Sequence, residues 1–283
     1  MTALVTEPSH SGDTLTTLQP VLTSDVARAH LLGVDALRPV GLEELVEHAA
    51  LMHRTDRKYI APLDTVRALV ADLADTHRVL EIKGRNYTTY RTLYFDTMGF
   101  EAARSHVQKR RRRWKVRSRL YVEDGLCRIE VKTKDNRGET QKVMGMSDPA
   151  RYGYLDGEEA DFVAFHLASH PEVRVDELVP AAEVCYTRAT LSDLNAGTRV
   201  TIDWKLVCHL ESGDVWMDDN YALVETKGPP TPGVADRALN RLGTHPRSFS
   251  KYVAAASTLN SGIADNDVRS LQGRVLHNRA VGF

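Results

Sequence analysis

From residue 54 onward, apolar and polar positions alternate with a period of two over most of the chain, the signature of strands with one buried face. Segments 54–61, 78–83, 90–95, 111–122, 127–134, 184–190, 198–209 and 220–227 fit this pattern, most of them bounded by Gly, Asp or Asn. A helix-period stretch precedes them, with Leu42, Leu45, Val46, Ala49 and Met52 on one face. Pro62 opens a second such stretch, carrying Leu63, Val66, Leu69, Val70 and Leu73, because proline is tolerated where a helix begins. Residues 1–37, rich in Ser, Thr, Asp and Pro, have no sustained period and predict a disordered or loosely attached arm. Residues 261–283 predict a polar tail. No repeat or low-complexity linker interrupts 38–260, so a single domain is expected there. About eight strands with a few helices predict an α+β fold, an antiparallel β-barrel with helices packed on the outside.

Sorting each strand into its two faces exposes an unusual charge pattern. Arg111, Arg113, Lys115, Arg117 and Arg119 share one face, opposite Trp114, Val116 and Leu120. Arg128, Glu130, Lys132 and Lys134 oppose Cys127, Ile129, Val131 and Thr133. Arg199, Thr201 and Asp203 oppose Val200, Ile202 and Trp204, and Leu223, Glu225 and Lys227 oppose Ala222, Val224 and Thr226. Arg54, Asp56 and Lys58 share a face of the first strand, with Arg57 and Tyr59 on the other. Any one such face could be the solvated outside of a sandwich. Five like charges in succession on one strand face would repel their neighbours unless an anion lies among them. The alternative is a wet lumen lined with cations and built for an anion, with the apolar faces covered by helices. Arginine suits it, because its planar fork grips phosphate oxygens bidentately.

Composition narrows the options. A hydrophobic content of 42% allows a core of useful size. The formal net charge of −1 argues against a generic nucleic-acid binder, so polyanion binding would require charge concentrated locally. Cys127, Cys185 and Cys208 show no CxxC or Cys/His ligand spacing, which argues against zinc or a disulfide framework and predicts a cytoplasmic, reducing setting. Neither a signal peptide nor a run of about 18 apolar residues is evident.

The ordered motifs RTDRKY (54–59), YRTLYFDT (90–97), WKVRSRLY (114–121), IEVKTK (129–134), GETQK (138–142), YTR (186–188), RVTID (199–203), LVETKG (223–228) and SFSKY (248–252) carry a resemblance. Together they resemble the VTC domain, within the CYTH and triphosphate tunnel metalloenzyme superfamily. The resemblance implies an antiparallel tunnel barrel with inward basic residues. It also implies a polyphosphate polymerase that moves the γ-phosphate of ATP onto a polyphosphate chain with Mn²⁺ or Mg²⁺. By matching position, Lys58, Arg117, Arg119, Lys132 and Arg188 would be catalytic. Lys142, Arg199, Ser250 and Lys251 would bind phosphate, and Glu225 would hold the metal. Two departures stand out: Asp56 occupies a position where relatives usually have Glu, and Arg247 and Ser248 stand where relatives can place a lysine.

The implied partners are ATP and polyphosphate, with no specific nucleic acid; a separate membrane partner and the oligomeric state are left open. Glu130 and Asp203 read as ion-pair partners rather than ligands, and His106 as a surface or supporting histidine. Two other readings stand beside the polymerase. One is a CYTH-type triphosphate hydrolase. The other is a non-catalytic polyphosphate- or nucleic-acid-binding module, for which the tract Lys109–Arg113 is the main argument.

Overall fold

The computed structural model describes residues 18–48 and 55–281. In chain order the strands are β1 (Pro39–Val40), β2 (Thr55–Pro62), β3 (Arg78–Leu80), β4 (Thr88–Asp96), β5 (Arg113–Tyr121) and β6 (Leu126–Lys134). They continue with β7 (Thr140–Ser147), β8 (Val179–Asp193), β9 (Thr198–Leu210), β10 (Gly213–Met217), β11 (Tyr221–Gly228) and β12 (Leu276–Ala280). The helices are α1 (Leu18–Leu32), α2 (Leu42–His48), α3 (Leu63–Asp72), α4 (Glu101–Val107), α5 (Gly157–His166), α6 (Val234–Arg241) and α7 (Lys251–Leu259).

The sheet follows an antiparallel path β2-β11-β9-β8-β4-β5-β6-β7. Among the described residues no strand pairing joins β2 to β7, so the barrel is open along that seam. Lys132 on β6 nevertheless interacts electrostatically with Asp56 and Lys58 on β2, which places the inner faces of β2 and β6 near each other across the lumen. The far half of β9 leaves this path to pair β10, which in turn pairs β12.

Alternation puts apolar side chains outward, where helices cover them. Tyr59, Ala189, Leu191, Val200, Ile202, Trp204, Ala222 and Val224 pack with Val66, Leu69 and Val70 of α3 and Ala238 and Leu239 of α6. On the opposite side Trp114, Val116, Ile129 and Val131 pack on Val163 of α5 and its flanking Leu167. A third cluster lies on the inner face at one end of the barrel. There α7 brings Tyr252, Val253 and Ala256 against Tyr94, Val184, Tyr186 and Leu223. An irregularity between β8 and β9 contributes to this arrangement: pairing shifts between Cys185 and Thr187, and Lys205 adopts a positive φ of 50°. The shift changes parity along β9, so Asp203 faces the lumen while Leu206 and Cys208 still face the α7 plug.

The two ends of the chain differ from expectation. From residue 18 the supposed arm is helix α1, and Ala29, Leu32, Val34 and Leu37 are buried in the core beside α3. Asp25, fully buried, accepts a hydrogen bond from Trp204 Nε1 (3.1 Å) and pairs with Lys205 (3.0 Å). A buried aspartate on the core side breaks the apolar period that would have revealed the helix. At the other end Ile263, Val268, Leu271, Val275 and Leu276 are buried, and β12 completes the sheet beyond β10. Most of these residues lie in loops and short turns, and Leu276 opens a five-residue strand, so no regular period advertises burial. The first helix-period stretch forms α2 with only Leu45 buried among its described apolar residues, and Ala49, Met52 and Arg54 lie outside the described residues. The second forms α3 behind its Pro62 cap, as the sequence predicts. Among the described residues no helix is long and apolar enough to cross a membrane.

Candidate functional site

The inner face of β5 presents Arg113, Lys115, Arg117 and Arg119, in register with Lys134, Lys132, Glu130 and Arg128 of β6. Glu130, 2% exposed, balances this corner: it lies 2.5 Å from Arg117, 3.1 Å from Lys142 and 3.6 Å from Arg119. Burial alone would raise its pKa, but those three cations hold it far below the usual carboxylate range. A matching arrangement stands across the lumen. Asp203 accepts a bidentate pair from Arg188 (2.5 and 2.7 Å) and lies 2.5 Å from Lys251. The two carboxylates therefore fix cation positions, as the sequence suggests for both.

Tyrosines separate the guanidinium groups. Tyr90 stacks on Tyr186, with Arg119 and Arg188 over the Tyr90 ring and Lys251 Nζ 4.2 Å from the Tyr186 centroid. Tyr94 stacks on Tyr252 of α7 and accepts a hydrogen bond from Arg117 (2.9 Å). Aromatic faces attract cations without neutralising them, so the row stays positive while its heads are held in place.

The lysines are less comfortable. Lys58 donates to the Phe249 carbonyl (2.6 Å) and Lys115 to Ser250 Oγ (2.9 Å). Burial followed by mutual repulsion lowers the pKa of Lys115, and Lys58 is also lowered despite the attraction of Glu225. Desolvation lowers Lys132 despite the attraction of Asp56, and Lys227 and Arg117 add to the fall. Lys142 is pushed down to about 8, chiefly by burial, although Glu130 favours its charge. An anion arriving among these groups would restore their protons.

The structure therefore gathers Lys58, Arg117, Arg119, Lys132, Lys142, Arg188, Lys251 and Glu225 around one lumen. Arg199 pairs in register with Lys227 at the start of β9, and Ser250 borders Lys115. Ser250 accepts from that lysine and keeps its own hydroxyl proton to donate. Sequence reasoning passed over several participants. Lys115, Lys227, Tyr90 and Tyr186 belong to the lumen; the inward parity of the two lysines was already visible, and the tyrosines required knowledge of strand register. His106 on α4 is half-buried and takes the supporting place of its two readings. Burial, then Lys115, Arg113, Lys58 and Lys132, push its pKa down to about 3, so it stands neutral beside the lysines. Arg247 and Ser248 instead clip the C-terminal segment, the first to Ser270 and the second to Asp267.

The residue that the family resemblance offers as metal ligand is Glu225. Among the described residues no three His, Cys, Asp or Glu side chains gather into a metal site. Glu225 lies 3.3 Å from Lys227, and its cross-strand neighbour Thr201 has a buried hydroxyl with no hydrogen-bond partner among the described residues. Burial would raise the Glu225 pKa, but Lys227, Lys58, Arg188 and Lys251 keep it well below the carboxylate range, hence ionised. One carboxylate, with phosphate oxygens and water completing the shell, is a common way to hold Mg²⁺. The residues thus fit a divalent ion that arrives with a triphosphate, rather than one caged by protein alone.

The profile of the VTC domain family matches residues 53–260. The search of curated proteins returns no match. Among solved structures, the chain is similar to a candidate adenylyl cyclase from Hippeastrum described as having a dominant triphosphatase activity. That protein is 15% identical with a TM-score of 0.48, over 75% of this chain and 97% of that one. A candidate adenylate cyclase from Bacillus halodurans is 13% identical with a TM-score of 0.42, over 68% of this chain and 89% of that one.

Proposed function

This chain belongs to the VTC domain family, and from that premise we propose that it is a metal-dependent polyphosphate polymerase that transfers the γ-phosphate of ATP to a polyphosphate end in its basic lumen. The observation that carries this reading is the state of the lumen carboxylates. Glu130, Asp203 and Glu225 are all held ionised at low pKa by two or more cations each, which makes them weak bases. His106, with a pKa of about 3, is a weak base as well. A phosphate terminus arrives already ionised and needs no base to attack, whereas a water nucleophile must lose a proton, which neither these carboxylates nor His106 is poised to take.

In this reading catalysis is positioning and charge neutralisation. Arg117 and Arg119, held by Glu130 and the tyrosines, grip phosphate oxygens from β5. Arg188 and Lys251, held by Asp203, grip from the opposite wall. Lys58, Lys132 and Lys142 neutralise the charge that the triphosphate brings, and Arg199 and Ser250 extend the grip. Glu225 would hold Mn²⁺ or Mg²⁺, which when bound supplies further charge neutralisation at the phosphate oxygens. Purified protein incubated with ATP and Mn²⁺ tests the reading: polyphosphate among the products supports it, and orthophosphate without polymer transfers the site to the hydrolase alternative.

A further inference from the structure

Outside the lumen two loops meet at one end of the β5–β6 hairpin and enclose a cleft of about 330 Å³. Lys109, Arg110, Arg111, Arg113, Lys134 and Arg137 line it, together with Asp135, Asn136 and Gly138. The single carboxylate is already engaged: Asp135 Oδ1 accepts the backbone N–H groups of Arg137 and Glu139, both at 2.9 Å, and so shapes the turn. Among the described residues none of the six cations has an ion-pair partner. Arg112, in the middle of the same basic run, turns away to pair with Glu172 (3.0 Å). In a chain of net charge −1, this is a concentrated excess of unneutralised positive charge.

The cleft is continuous with the lumen. Arg113 faces Lys134 in register and precedes Lys115, Arg117 and Arg119 on one strand face. At about 6.6 Å between alternate residues, that row spaces cations along roughly 20 Å of strand. No aromatic side chain lines the cleft, and Trp114 is buried on the other face of β5. Nucleobases would find no stacking platform there.

We propose that this cleft is a second anion site, which binds a further stretch of the inorganic polyphosphate chain whose end lies in the lumen. The proposal rests on the lumen being a polyphosphate site, but not on turnover. A chain long enough to reach both sites gains affinity from the second, because the cleft then binds at high effective concentration.

The test is equilibrium binding in chelator, where no turnover occurs, to tripolyphosphate and to long-chain polyphosphate. The variants are Arg111→Ser/Arg137→Ser and the charge-keeping Arg111→Lys/Arg137→Lys; both residues are exposed. The serine variant should lose about tenfold in long-chain affinity and show a shallower salt dependence, with tripolyphosphate affinity within about twofold of wild type. The lysine variant should recover most of the loss. Unchanged long-chain affinity, or equal loss for both ligands, overturns the proposal. So does a single-stranded oligonucleotide of equal charge that displaces the long chain as well as polyphosphate itself does. Failure to form polymer from ATP, with this length dependence intact, would instead reject the polymerase reading and leave the cleft standing.

Discussion

Arg117 donates to Glu130 through both Nε and Nη2, whereas Lys132 has no carboxylate within ion-pair distance among the described residues. Removing them should therefore have different consequences. Arg117→Ala strips a buried carboxylate of the two N–H donors on its Oε2 and should lower unliganded stability by about 1–3 kcal/mol. Lys132→Ala removes a positive charge from a repelling cluster and should leave stability unchanged or raise it. Both should weaken tripolyphosphate binding, by roughly 1.5–3 kcal/mol for each charged hydrogen bond to phosphate that disappears. Denaturant titration together with binding measurements separates the two outcomes. Lys142 adds a pH signature. Its pKa in the free protein is about 8, so it is largely charged below that pH and neutral above it. Affinity for tripolyphosphate should fall as pH rises through about 8, and Lys142→Arg should shift that fall to higher pH. Most of these cations were legible in the sequence as inward-facing positions. Glu130 and Asp203 were legible as ion-pair partners, but not the cations they meet, because Glu130 meets Lys142 only through the β6–β7 register, and Asp203 meets Lys251 only once α7 enters the barrel.

At the scale of elements, two-face sorting marked out β2, β5, β6, β9 and β11 because their contrast between charged and apolar faces is strong. β7 lacks that contrast: Met144 and Met146 lie on its open inner face, and Gly145 lies against Phe162 on the outer one. β10 and β12 are only five residues long, and most of β12 is exposed. α7 escaped notice for the opposite reason, since nearly every residue from Tyr252 to Ser257 is buried and no polar stripe marks a helix period. What anchors α7 is Asp96, fully buried at the end of β4. It accepts backbone N–H groups at the start of α4 (2.9 and 3.1 Å) and the Tyr252 hydroxyl (2.6 Å). Tyr252→Phe keeps the ring on Tyr94 but removes one donor from a buried carboxylate, and should cost about 1–3 kcal/mol in denaturant unfolding. Because Ser250 and Lys251 begin the same helix, tripolyphosphate affinity should fall as well. Unchanged stability would mean that Asp96 is protonated or otherwise satisfied, in keeping with the upward pressure of burial on its pKa.

For the molecule as a whole, near-neutrality conceals a division of charge. Acidic residues are spread widely, while cations from β2, β5, β6, β7, β8, β9 and β11 converge on one lumen. Glu225 sits among them, and two roles are open to it there. One is a counter-charge for Lys227, Lys58, Arg188 and Lys251; the other is the carboxylate that holds a divalent ion beside a triphosphate. Its depressed pKa means that it contributes stability above the ordinary carboxylate range, and that this contribution is lost only as pH falls through its low folded-state pKa. Glu225→Gln keeps the shape and removes the charge, so unliganded stability at neutral pH should fall in either case. The two roles part on ligand and metal. If Glu225 holds the ion, the Gln variant should lose turnover of ATP with Mn²⁺, and no raised metal concentration within reach should restore it. Tripolyphosphate affinity in chelator should meanwhile hold or tighten, because a negative charge has left the lumen. If Glu225 is only a counter-charge, remaining turnover should keep the wild-type dependence on metal concentration, and that result rejects the metal assignment.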